Sequence, residues 1–73
     1  MTNRLTAVIH REDDVYLAHC PELDVVSQGD TVELARENLR EVVELFLECA
    51  SDTEVTERLG GEFFVTHFEV TVG

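Results

Sequence analysis

The chain has 73 residues, of which sixteen are acidic and five are arginine, with no lysine, and its formal net charge is -11. This charge disfavours nucleic acid and anionic lipid as direct partners and favours a basic protein. Because no apolar stretch reaches the roughly 18 residues that span a bilayer and no basic segment precedes an apolar run at the start, we expect a cytoplasmic protein.

Two segments near the start predict a β-hairpin. Residues 4–10 (RLTAVIH) and 15–20 (VYLAHC) are rich in β-branched and aromatic side chains, and the polar residues 11–14 separate them. A symmetric turn in which paired residue numbers sum to 25 gives these pairs: Ile9 with Tyr16, Ala7 with Ala18, and Leu5 with Cys20. One face of the hairpin is then nearly all apolar, whereas the other is mixed and could be solvated or meet another subunit.

The stretch CPELDVVSQGDT, directly after His19, could be a cysteine-histidine site or a connector from strand to helix. A cysteine nucleophile needs its base within hydrogen-bond reach, but neighbouring residues on a strand point to opposite faces. We therefore predict that Cys20 is a core residue and that His19 is partly exposed. The three histidines, at 10, 19 and 67, lack the close spacing of a metal site, so we expect no catalytic residues, metal or cofactor.

A short third strand and a long helix follow. Pro21 suits a strand end, residues 24–28 can form the strand, and Gly29 permits a turn. Asp30 is the predicted N-cap, with Glu33 completing a capping box, and Thr31 is the alternative cap. From there to about Ala50 the apolar residues are spaced three and four apart, which predicts a helix with this apolar stripe: Val32, Ala35, Leu39, Val42, Val43, Phe46 and Ala50. Three further leucines widen the stripe, and some of them could bury against a second subunit: Leu34, Leu45 and Leu47.

The opposite face of this helix is rich in carboxylates. Its candidate partner-binding residues are Glu37, Glu41, Glu44 and Glu48. We call these four residues the acidic face. It could be an ordinary solvated surface, or it could contact a basic partner.

The last third of the chain predicts a short helix and a strand. Residues 53–59 could form a helix that Gly60 and Gly61 stop. Residues 63–73 (FFVTHFEVTVG) alternate as a long strand, which a right-handed crossover would place parallel to the first strand. The predicted fold is therefore α+β, one domain over residues 1–73, with a β-β-β-α-β single sheet and one main helix packed on one face.

A long apolar strand at a sheet edge invites another chain, and a domain of this size is marginally stable alone because it buries only about 60% of its unfolded surface. We therefore predict a homodimer or higher homo-oligomer in which the last strand pairs with the same strand of a second copy. The candidate dimer-edge residues are Phe64, Phe68 and Val70.

Two groups of residues resemble the signature of the HicB-like antitoxin family, which includes the UPF0150 small proteins. The first group is Tyr16-x-Ala18-x-x-Pro21-x-Leu23, and the second is Ser27-Gln28-Gly29-Asp30-Thr31-x-Glu33-x-Ala35-x-x-Asn38-Leu39-x-Glu41. The resemblance covers residues 1 to about 50 and implies a partial, catalytically inert ribonuclease H-like fold. It also implies an antitoxin, and not an enzyme, that blocks a small basic HicA-type toxin that cleaves messenger RNA. Many family members carry a C-terminal DNA-binding module, and we expect none in this domain.

Two other functions are compatible with the sequence. One is a stand-alone oligomeric regulatory or small-molecule-binding domain without a toxin partner. The other is a residual nuclease of the ribonuclease H type, which would need several strand carboxylates around magnesium. The first strand, RLTAVIH, offers none, so this alternative is disfavoured.

Overall fold

The computed structural model describes residues 4–62 and 64–73. Three strands and two helices follow one another along the chain: β1 (Val8–Glu12), β2 (Val15–Cys20), β3 (Val25–Gly29), α1 (Val32–Cys49) and α2 (Asp52–Leu59). The strands form one antiparallel sheet in the order β1-β2-β3, and α1 packs on one face of it. The predicted α+β class, the hairpin, the third strand and both helices are therefore confirmed.

The register of the β1–β2 hairpin differs from the predicted one by two residues. Paired numbers sum to 27 and not to 25, so that Ile9 lies opposite Ala18 and Arg11 opposite Tyr16. The turn is the two residues Asp13 and Asp14, and Asp13 has a φ of 55°, a left-handed conformation that aspartate tolerates better than most residues. Because side chains alternate with period two, a shift of two residues leaves each of them on its predicted face.

The core is small and lies between the sheet and α1. Its fully buried members are Ala18, Cys20, Leu23, Ala35 and Leu39. Partly buried apolar residues surround them: Leu5, Ile9, Tyr16, Val25, Val43, Phe46 and Leu59. The hairpin face that the sequence predicts as apolar is therefore the one that α1 covers.

A close backbone contact joins the end of β3 to the start of α1. A Cβ atom on Gly29 would lie 2.5 Å from the backbone nitrogen of Ala35, so only glycine fits there without a shift of the helix. The helix begins after Thr31, whose hydroxyl accepts a hydrogen bond of 3.0 Å from the backbone N–H of Leu34. The predicted Asp30 cap is wrong and the alternative Thr31 is correct, because Thr31 is the extended residue directly before the first helical turn.

Helix α2 is capped at both ends and held against the core. Ser51 Oγ accepts a hydrogen bond from the N–H of Glu54 at 3.1 Å, and Gly60 ends the helix, as predicted. Arg58 Nη1 donates to the carbonyl oxygen of Leu23 at 2.7 Å. Helix α2 is thereby attached to the turn between β2 and β3.

Residues 64–73, which we call the arm, do not form the predicted fourth strand of the sheet. They pair with no strand in the part of the chain that the structure describes, and Phe64 and Phe68 are 83% and 85% exposed. The element order is β-β-β-α-α and not β-β-β-α-β, because an extended segment becomes a strand only when a neighbour satisfies its backbone groups. Phe63, the first residue of the predicted strand, lies outside the described residues. The ribonuclease H-like arrangement, which a fourth strand would complete, stays a prediction.

The arm also lengthens the molecule. The radius of gyration is 14.4 Å, and the longest dimension is 50 Å. A compact domain of this length would have a radius of gyration of about 11 Å. The arm therefore projects from the compact part of the chain.

Candidate partner-binding surfaces

The acidic face forms one exposed stripe on α1. Glu37, Glu41, Glu44 and Glu48 are spaced four, three and four residues apart, which places them on one side of the helix, and all four are exposed. The structure therefore brings the four predicted residues together. Their contact with a partner is untested and stays a prediction.

Arg40 forms ion pairs with two carboxylates of this stripe. Its Nη1 lies 2.9 Å from Glu37 Oε1, and its Nε lies 3.1 Å from Glu44 Oε1. Within residues 4–62 and 64–73, no ion pair joins Glu41 or Glu48. Exposed pairs of this kind contribute little to stability, so Arg40 can exchange its partners readily. A basic ligand would meet Glu41 and Glu48 without first breaking an ion pair.

A groove separates residues 5–7 from α1. Its volume is about 490 Å³, and it lies between Leu5, Thr6 and Ala7 on one side and Leu39, Val43 and Leu47 on the other. We call it the β1–α1 groove, since residues 5–7 lead directly into β1. The sequence interpretation missed it, because its walls come from segments more than thirty residues apart. The only sequence signal was Leu47, which lies beside the main apolar stripe of α1.

A buried thiol and a carboxylate lie at one end of the sheet. The backbone N–H of Thr6 donates to Glu22 Oε2 at 2.8 Å, and Cys20 Sγ donates to Glu22 Oε1 at 3.4 Å. Burial raises the pKa of the Cys20 thiol, and neighbouring Glu22 raises it further. Burial alone would raise the pKa of Glu22 too, but hydrogen bonds from Thr6, from its own backbone and from Cys20 outweigh it and lower that pKa.

His19 and Cys20 do not form a site together. His19 Nε2 contacts Asp24 Oδ1 at 3.1 Å on the opposite side of the sheet from Cys20, which is buried and has a raised pKa. The divergence of His19 and Cys20 is therefore confirmed. The residues that the structure describes contain no cluster of three or more histidine, cysteine or acidic side chains that could hold a metal ion.

The sheet face opposite α1 has no covering layer among the described residues. It carries Val8, which is exposed, Val26, which is 56% exposed, and the partly buried Leu17 and His19. This mixed composition matches the predicted second face of the hairpin. None of the helices in the described part of the chain is both long and apolar enough to cross a bilayer.

The three predicted dimer-edge residues all lie on the arm and are exposed. Phe64, Phe68 and Val70 have the same parity, so an extended arm presents them on one side. They lie far along the chain from the acidic face, and the structure does not join the two sets into one site. Their role in dimerisation stays a prediction.

Comparison with known proteins identifies a relative of this chain. No family model matches the chain, and no solved structure matches it. The chain is 38% identical over 50 residues to the UPF0150 protein ssr1258 of Synechocystis sp. (strain ATCC 27184 / PCC 6803 / Kazusa). The match covers 67% of this chain and 72% of that protein. On this similarity, the chain belongs to the UPF0150 family.

Proposed function

We propose that this chain is a HicB-like antitoxin that binds a small basic HicA-type toxin and neutralises it by occlusion. The observation that carries the proposal is the exposed stripe of four carboxylates on α1, in a chain of net charge -11. Membership of the UPF0150 family and the resemblance of the β2-to-α1 segment to HicB-like antitoxins support it. A toxin that cleaves messenger RNA must present a basic surface to RNA phosphates, and such a surface attracts this stripe.

The stripe is rigidly positioned. Thr31 caps α1, Ala35 and Leu39 bury its inner side in the core, and Gly29 brings its first turn against β3. Carboxylates on a fixed helix can occupy the places that RNA phosphates would take, with little loss of conformational entropy on binding. Occlusion requires shape and charge from the antitoxin but no bond-making chemistry, so we propose a binding protein and not an enzyme.

The β1–α1 groove favours a second candidate, a stand-alone oligomeric regulatory or small-molecule-binding domain. Its volume of about 490 Å³ lies within the range of small-molecule sites, about 300–1,000 Å³. Five of its lining residues are aliphatic, and Arg36, Arg40 and Glu44 line it as well. Because Arg40 is paired with Glu44, a ligand of this groove would be largely apolar, with an anionic group that Arg36 could bind.

Charge-reversal variants test the antitoxin proposal. The chain is co-expressed with a small basic protein encoded beside it, and binding is measured by co-purification and titration, with recovery of cell growth as the activity. Glu41→Lys/Glu48→Lys should weaken binding by about tenfold or more, since each lost or reversed interfacial pair changes the binding free energy by about 1 kcal/mol or more.

The matched control is Glu54→Lys/Glu57→Lys on α2, which makes the same change in net charge at exposed positions away from the acidic face. Its affinity for the basic protein should stay within about twofold of that of the parent chain, measured at a salt concentration that screens long-range charge interactions. Equal losses in both double variants would contradict the role of the acidic face. Failure of every basic neighbour to bind would favour the stand-alone domain.

A further inference from the structure

We propose that the arm of one copy occupies the β1–α1 groove of a second copy, in a reciprocal exchange that forms a dimer. The arm is apolar on one side, with Phe64, Phe68, Val70 and Val72 all exposed. Extended apolar segments of this kind are rarely left in water, because their burial contributes about 25 cal/mol per Å². The arm therefore has a binding site elsewhere.

The groove has what an added strand requires. Strand β1 lies at one edge of the sheet and pairs only with β2 among the described residues, so its outer backbone groups can bond another strand. Directly before this strand, residues 5–7 line the groove, and Leu39, Val43 and Leu47 of α1 form its aliphatic wall. A strand added here extends the sheet and has its inner side against α1.

The alternation of side chains between the two sides of the arm fits this position. Phe64, Phe68 and Val70 share one side and would face the aliphatic wall of α1. The other side carries Val65 and His67, a mixture like that of Val8 and His10 on the open face of the sheet. An arm in the groove therefore continues both faces of the sheet and leaves its own charged residue, Glu69, on the open face.

The arm of this copy lies outside its own groove, and that points to a second copy as the occupant. Arg58 attaches α2 to Leu23, and the arm then leaves through Gly60 and Gly61. A Cβ atom on Gly61 would meet nothing within 4 Å, so Gly61 is an uncrowded hinge. Exchange of identical elements across a hinge is a low-cost route to a dimer. The exchanged dimer needs no toxin, and it differs from arm-to-arm pairing, which would leave the groove open.

Light scattering after size-exclusion chromatography tests the exchange on full-length chains at about 100 μM. All chains carry Cys49→Ser, because Cys49 is exposed and could form disulfide dimers. The chain with this change alone should be a dimer. An arm variant, Phe64→Asp/Phe68→Asp, and a groove variant, Leu47→Asp, should each be monomers. The matched control is Leu45→Asp, at a residue of α1 that is 61% exposed and outside the groove, and it should stay a dimer.

Mixing the two monomeric variants distinguishes exchange from other contacts. The arm variant retains an intact groove, and the groove variant retains an intact arm, so an equimolar mixture should form a heterodimer with one exchanged arm. Recovery of the dimer on mixing also shows that neither variant is merely unfolded. A monomeric parent chain, a dimer that survives Leu47→Asp, or a mixture that stays monomeric would each overturn the proposal.

Discussion

Arg58 and Leu23 are 35 positions apart in the chain, and a hydrogen bond of 2.7 Å joins Nη1 of the arginine to the carbonyl oxygen of the leucine. The same guanidinium lies over the ring of Phe46, 5.6 Å from its centroid. One side chain therefore connects α2, α1 and the β2–β3 turn. It also fixes the point from which the arm leaves the compact part of the chain.

Replacement of Arg58 should loosen α2. Arg58→Ala removes the hydrogen bond to Leu23 and the contact with Phe46, and we expect a loss of about 1–2 kcal/mol in the free energy of unfolding. Arg58→Lys keeps the charge but not the planar fork, so its loss should be smaller. Urea denaturation followed by circular dichroism measures both. Arg11→Ala, at an exposed position in the hairpin, serves as the control and should change stability by less than about 0.5 kcal/mol.

A methyl group at Gly29 should separate β3 from α1. In Gly29→Ala the new Cβ would lie 2.5 Å from the backbone nitrogen of Ala35 and 2.8 Å from the carbonyl carbon of Leu34, and backbone atoms cannot rotate away. We expect a destabilisation of about 1–3 kcal/mol. The matched substitution, Gly61→Ala, has no atom within 4 Å of its Cβ and should be nearly neutral. Comparable losses in the two variants, measured by thermal unfolding, would contradict the close β3–α1 contact.

The stability contributed by Glu22 should depend on pH. Its pKa is lower in the folded chain than the ordinary value of 4.5, so its carboxylate stabilises the fold above that value, and the contribution is lost as the pH falls through the folded pKa. We expect Glu22→Gln to lower the free energy of unfolding by about 1 kcal/mol at pH 7, after allowance for its partial exposure. The difference from the parent chain should disappear in acid.

Denaturant titrations at several pH values measure this difference. Glu57→Gln, which changes an exposed carboxylate on α2, controls for net charge and should shift stability by less than about 0.5 kcal/mol at pH 7. A penalty for Glu22→Gln that stays constant into acid would show that its hydrogen bonds do not depend on ionisation.

The two cysteines should differ in reactivity. Cys49 is exposed, whereas Cys20 is buried with a raised pKa that keeps it a thiol. A disulfide reagent at neutral pH should titrate one thiol rapidly in the folded chain and the second only after unfolding, since the thiolate is the reactive form. Rapid modification of both thiols, with Cys49→Ser as the reference for Cys20 alone, would contradict a closed core at Cys20.

Short sequence patterns predict the structural elements that interactions between nearby residues determine. Helix α1 follows from apolar residues three and four apart, and the end of α2 follows from Gly60. The hairpin register was missed because it depends on the left-handed conformation of Asp13, which the polar run 11–14 does not reveal. The capping-box pattern favours Asp30 over Thr31 as the N-cap of α1, yet Thr31 is the residue that caps it.

Non-local features were the ones that the sequence could not provide. The alternation of residues 64–73 predicts a fourth strand, which the structure does not show, because alternation does not say which edge a strand joins. The β1–α1 groove depends on the approach of Leu5 to Leu47, and no short pattern carries that distance. The four carboxylates of the acidic face were predictable because helical geometry alone places them together.

The hairpin register has a consequence for how this fold can vary in length. Two residues inserted into or removed from the turn at Asp13 and Asp14 would keep Ile9 towards α1, as the difference of two between predicted and observed registers illustrates. A single residue inserted within β1, between Ile9 and the turn, would instead bring Val8 against the core and turn Ile9 to the open face, unless a β-bulge absorbed it. Related chains can therefore vary the length of this strand freely only in pairs of residues, whereas a tag or label placed in the turn itself lengthens the loop and leaves the pairing of β1 with β2 unchanged.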